Sequence, residues 1–143
     1  MILAGLLLGM FSTGSLAQAV SGSATLSVNS VDPPAESKVS RDSVIKAELR
    51  YSISNFYEPG FRYFVMAAFQ NRAGGTFNTL DHPEQGVEIK KALGAVTITY
   101  PIAKEWDSPK LARPVTLSFL LVRVRGAEEP TVIAYTRDIV YSN

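Results

Sequence analysis

The chain has no cysteine and a single histidine, and its 14 basic and 13 acidic side chains leave a formal net charge of +1. The first absence excludes disulfides, thiolate metal sites, iron–sulfur clusters and cysteine nucleophiles, so packing and hydrogen bonds must hold the fold. The second leaves any zinc or copper centre to be completed by carboxylates around His82. Balanced charge, with no basic stripe interleaved with aromatics, provides no footprint for nucleic acid. Neither a G-x-S-x-G elbow nor a phosphate loop occurs, and there is no Asn-x-Ser/Thr sequon. The expectation is a non-enzymatic protein with no cofactor. At 143 residues the chain fits one domain with a core of its own.

No apolar run reaches the roughly 20 residues that a spanning helix needs. The stretch MILAGLLLGMFSTGSLAQA, residues 1–19, is uncharged, loses its apolar character at Ser12–Ser15 and ends in the small-x-small pattern Ala17-Gln18-Ala19. It reads as a signal peptide cleaved after Ala19, with a retained anchor or a buried apolar helix as the alternatives. The mature chain, residues 20–143, then carries no stable membrane span. A cysteine-free exported domain points to the periplasm or exterior of a bacterium, because small animal extracellular domains are usually cross-linked.

Period-two alternation dominates the remainder. Ile45, Ala47, Leu49, Tyr51 and Ile53 alternate with Lys46, Glu48, Arg50 and Ser52, the pattern of a strand with one wet face. Val96, Ile98 and Tyr100 alternate with Thr97 and Thr99 in the same way. The segment GFRYFVMAAFQN is apolar on both faces, as in a central strand. In VTLSFLLVRVRG the phase shifts from Val115–Leu121 to Val122 and Val124, which predicts a bulge near Leu121. In TVIAYTRDIVYS, Ile133, Tyr135, Ile139 and Tyr141 share a face that Arg137 interrupts. Strands are expected at 24–30, 43–54, 61–70, 86–91, 95–100, 114–125 and 131–141, with TFNTL (76–80) an uncertain eighth. Asp32-Pro33-Pro34 ends the first strand, since neither proline can donate to a ladder.

The segment Val31-Asp32-Pro33-Pro34-Ala35-Glu36, followed by Val39 and by Asp42-Ser43-Val44-Ile45 leading into KAELRYSI, resembles the first two strands and their connection in bacterial exported immunoglobulin-like or fibronectin type III-like domains. It has no Cys pair, no Trp in the third strand and no Tyr in the sixth. The expected fold is all-β: a single antiparallel seven-stranded immunoglobulin-like β-sandwich. Such a resemblance implies a spacer, adhesion unit or binding module, with another envelope or extracellular protein as partner.

Two groups of residues are candidates for contact. Phe56 and Tyr57, before the turn Pro59-Gly60, and Phe64 and Met66 on the outer side of the third strand would suit a protein partner. Trp106 between Glu105 and Asp107, with His82 on a neighbouring loop, would suit a glycan, the ring stacking on sugar C–H groups and the acids taking hydroxyls. The competing reading of Trp106 is a plug for the end of the core. Strand parity groups Pro33, Pro34, Phe77, His82, Trp106 and Asp107 at one pole, and Phe56, Tyr57, Glu58, Glu128 and Glu129 at the other.

Overall fold

The computed structural model describes residues 24–56, 59–77 and 86–142. The expected signal peptide lies outside them, as do Tyr57, Glu58 and His82. Two antiparallel sheets pack face to face. The first has the order β1 (Ala24–Asp32), β2 (Val44–Ile53), β6 (Leu93–Pro101). In the second, β3 (Phe61–Gln70) pairs with β7 (Thr116–Arg125); β4 (Thr76–Phe77) and β5 (Val87–Ile89) line the far edge of β3, and β8 (Thr131–Tyr135) and β9 (Ile139–Val140) line the far edge of β7. A helical turn, α1 (Ala103–Trp106), follows β6.

Among the described residues nine strand segments stand where seven continuous strands were expected, and they occupy seven positions. Both β4 and β5 run antiparallel to β3 and so form one interrupted strand. The same holds for β8 and β9 beside β7. Because β4 and β5 share a direction, the extra segment does not invert the later strands. An Arg41–Asp107 ion pair and the Arg72 N–H bond to the Lys110 carbonyl (2.7 Å) gather the β1–β2, β3–β4 and β6–β7 connections at one pole. The Ile53 N–H bond to Ala92 and the pairing of Phe61 with Arg125 put the β2–β3, β5–β6 and β7–β8 connections at the opposite pole.

The alternating side chains of β2 build the middle of the core: Ile45, Ala47, Leu49, Tyr51 and Ile53 are buried and their neighbours face water. Across from them lie Tyr63, Val65 and Phe69 of β3 and Leu117, Phe119 and Leu121 of β7. These two strands are apolar on both faces. Phe64, Met66, Ala68, Leu120 and Val122 form a second buried cluster on the outer side of the sheet.

The expected bulge in β7 is displaced to its partner. The β3–β7 register is continuous from Phe61 to Phe69, so β7 does not change phase; its shift from Leu121 to Val122 is a change from one apolar face to the other. The irregularity lies on β8: Leu121 pairs with Ala134 and Val122 with Val132, leaving Ile133 as the extra residue. This turns Tyr135 outward, opposite Leu120, contrary to the expected inward face. At the break between β8 and β9 the buried Thr136 stands in for the ladder, its hydroxyl accepting the Phe119 N–H at 2.9 Å.

On one lateral side of the sandwich residues 33–39 are stitched to residues 140–142, beside a β1 whose outer edge has no partner among the described residues and a cleft of about 330 Å³ between β1 and residues 136–139. β1 stops at Asp32, immediately before the prolines. Residues 36–39 then run beside the last strand: Glu36 N–H bonds Val140 O (2.7 Å), Val39 N–H bonds Ser142 O (2.9 Å) and Ser142 N–H bonds Ser37 O (3.0 Å). The Lys38–Ser142 bridge is parallel. Tyr141, fully buried, donates its hydroxyl to the Pro33 carbonyl at 2.8 Å, linking positions 108 residues apart.

Burial, with Asp32 adding to it, pushes the Tyr141 phenol up to about 12. The fold thus prefers the neutral phenol, and this share of stability is complete below the ordinary tyrosine value of 10.0 and is lost as pH rises from there to about 12. Tyr141→Phe is expected to lower stability by about 1–2 kcal/mol near neutral pH, through a Pro33 carbonyl left without its donor. Urea titrations at pH 7 and at pH 11 should show wild type losing more stability with alkali than the variant. Equal losses would exclude Tyr141 as the alkaline group, although Tyr51, also raised by burial, keeps its own share in both proteins.

Candidate functional site

The opposite lateral side is open. There β6 is the last strand of its sheet, and among the described residues nothing pairs with its outer edge. It faces the interrupted side of β3 across a cleft of about 420 Å³, lined by Val65, Met66 and Ala67 of β3, Gly86 and Val87 at β5, Ile98, Thr99 and Tyr100 of β6, and Lys104 and Glu105 of α1. Among the described residues, β5 pairs with Tyr63–Val65 and β4 with Phe69–Gln70, so the cleft lies beside the middle of β3. Gly86 is required at its wall. A Cβ there would lie 2.5 Å from the Val65 carbonyl oxygen and 2.9 Å from Met66 Cγ.

Which backbone groups of β6 face the opening follows from its pairing with β2. Ile102 N–H bonds Ser43 O and Ile53 N–H bonds Ala92 O, and the β2–β6 register is unbroken between them. Even-numbered residues of β6 are therefore the hydrogen-bonded partners of β2. Antiparallel ladders alternate, so the N–H and C=O groups of Leu93, Ala95, Thr97 and Thr99 point away from β2, towards the free edge. Their side chains lie on the wet face, while Val96, Ile98 and Tyr100 turn inward. From Leu93 to Tyr100 the strand has no charged residue, no proline and no bulge. Those are the usual devices that keep an exposed edge from pairing.

At one end of the cleft, the Tyr100 hydroxyl donates to Glu105 Oε2 at 2.5 Å, and Glu105 is only 9% exposed. The Tyr100 ring packs 5.2 Å from that of Phe69 and carries Lys104 Nζ at 5.2 Å. On β3 and β5, outside the cleft lining, Arg62 makes a forked pair with Glu88 (3.0 and 3.1 Å), which with Lys90 holds the Glu88 carboxyl below its usual range.

The candidate glycan residues are adjacent in sequence but diverge in space, since successive side chains on a helical turn point about 100° apart. Glu105 enters the cleft. Trp106 packs half-buried against the main core, with the Arg113 guanidinium 4.1 Å above its ring and the same side chain donating to the Trp106 carbonyl at 2.7 Å. Asp107 turns to Arg41. Of the candidate protein-contact residues, Phe56 is half-buried and stacked on Tyr63 at 5.2 Å, while Phe64 and Met66 are 3% and 5% exposed in the second cluster. The Arg62 guanidinium lies over Phe64 at 5.0 Å. Sequence reasoning missed Tyr100 and the β6 edge; the signal was the uncharged run LGAVTITYP.

No family model, curated protein or solved structure matches the chain. Among the described residues no helix is long and apolar enough to cross a membrane, and no group of three or more acidic or histidine side chains is arranged to hold a metal.

Tyr100→Phe removes a donor from a buried carboxylate. It is expected to cost about 1.5–3 kcal/mol, the range for hydrogen bonds to charged groups. Thr99→Ala, on the wet face of the same strand, should change stability by less than about 0.5 kcal/mol. Similar values for the two in thermal or urea unfolding would show that the Tyr100–Glu105 bond does not hold the cleft wall.

Proposed function

We propose that the chain is a non-enzymatic exported module of a bacterial envelope that binds protein through the open edge of β6. The observation that carries this reading is the edge itself. Alternate residues from Leu93 to Thr99 direct backbone donors and acceptors outward, unguarded by charge, beside a cleft with Val65, Met66, Val87 and Ile98 in its walls. Strand addition to such an edge takes affinity from main-chain hydrogen bonds and selectivity from pockets that receive every second side chain. The uncharged segment 1–19, ending in Ala17-Gln18-Ala19, supports export with processing after Ala19. Trp106, with one face under Arg113 and the ring packed on the core, gives the glycan reading no further support.

Expression of the full chain in a bacterial host tests both parts. The product is expected in the periplasmic or extracellular fraction, with an intact mass beginning at Val20; a cytoplasmic product that retains residues 1–19 would overturn export. A photo-crosslinking amino acid at Thr97 should give a protein adduct of defined mass in the envelope, and the same group at Thr25, on the wet face of β1, should give none. Absence of an adduct at Thr97, or equal adducts at both positions, would count against the edge as the contact.

A further inference from the structure

The β6 edge is complementary to itself. We propose that two copies of the chain pair β6 against β6 in antiparallel fashion about a two-fold axis through Thr97, joining their three-stranded sheets into one six-stranded sheet. This rests on the reading of that edge as a protein contact and names its occupant.

Thr97 is the midpoint of Leu93–Pro101, so this register overlaps the whole strand. It places Thr97 opposite Thr97, Ala95 opposite Thr99, and Leu93 opposite Pro101. All of these are odd-numbered residues, whose N–H and C=O groups are the ones directed outward. Each non-terminal pair can therefore exchange two hydrogen bonds without disturbing the β2–β6 ladder. At the terminal pair Leu93 donates to the Pro101 carbonyl; proline has no N–H and ends the ladder there.

The side chains agree with the backbone. On the inner face Val96 meets Ile98 of the second copy, apolar on apolar, beside the two clefts. On the wet face threonine meets threonine, a favourable cross-strand pair. Since the strand carries no charge, no like charges are brought face to face within it. The pairing is isologous and uses both open edges, so it closes at a dimer and leaves no free β6 edge for further growth.

A nine-residue edge buries less than the roughly 1,200–2,000 Å² of a standard stable interface, so the dimer should be concentration-dependent, with a dissociation constant on the order of 10 μM. Sedimentation equilibrium of the full chain, from about 1 μM to about 0.5 mM, is the test; wild type should pass from monomer to dimer mass over that range. Thr97→Lys and Thr97→Glu, both at an exposed position, should fold by circular dichroism but each raise the dissociation constant about tenfold or more, because two like charges then sit on the axis.

Mixed in equal amounts, the two variants should regain the dimer, which only a contact of Thr97 with Thr97 would produce. Thr97→Pro, which removes an outward N–H that β2 does not use, is the second variant and should also be monomeric. A monomeric wild type at every concentration, a Thr97→Lys dimer of unchanged strength, or no recovery on mixing would overturn the proposal. A monomeric wild type that still gives the Thr97 envelope adduct would refute the second copy as occupant and leave the protein-binding reading standing.

Discussion

The seam between residues 33–39 and the last strand governs the form of the molecule. Tyr141 lies at the bottom of the core and reaches across to the Pro33 carbonyl, while three backbone hydrogen bonds fix residues 36–39 along residues 140–142. Prolines at 33 and 34 stop β1 from continuing its antiparallel pairing with β2, and that interruption frees the chain to run beside the C-terminus. A charged phenolate at position 141 would be incompatible with its buried site, which is why the group titrates so late. The outer edge of β9 is thereby paired by chain already present.

Among the described residues the other side has no equivalent seam: β4 and β5 pair with only the ends of β3, the connection from α1 leads away to the pole, and β6 is left as an edge with half of its peptide groups turned outward. A domain with cysteine might have cross-linked its sheets; this one relies on burial of both faces of β3 and β7, so the rigid centre is broad and the lateral edges are where new contacts can be made without dismantling the core. An uncharged edge strand is an aggregation hazard unless it has a partner. Pairing that closes on itself meets that hazard and gives the cleft a floor of apolar side chains.

Much of the architecture was legible in the residues. β2 and β3 are found almost where alternation and two-sided apolar character placed them, and the prolines mark the end of β1. The bulge lies one strand away from the phase shift in β7 because, in a sequence, a strand apolar on both faces looks the same as a strand that slips phase; only the partner register separates them, and it puts the extra residue at Ile133. Tyr135 faces outward for the same reason. The split at Thr136 depends on a hydroxyl replacing a ladder bond, and no pattern of hydrophobicity records that. Glu105, Trp106 and Asp107 looked like one site because they are consecutive, yet a helical turn sends them to the cleft, the core and the pole. The β6 edge was hidden because being an edge is a property of sheet order, which a strand's own residues do not encode.

The central claim is that residues 33–39 are stitched to residues 140–142 on one side of the sandwich and that the β6 edge on the other is open to a partner strand. Residue-resolved amide hydrogen exchange at two protein concentrations tests it most directly. The account predicts slow exchange at Val39 and Ser142 in both samples. Along β6 the dilute sample should alternate, with Val96, Ile98 and Tyr100 protected and Ala95, Thr97 and Thr99 exchanging fast, and the latter three should become protected in the concentrated sample. Uniform protection of β6 at low concentration would mean that the edge is already covered, and fast exchange of the odd-numbered residues at every concentration would mean that no second copy comes to it; either result would contradict the account.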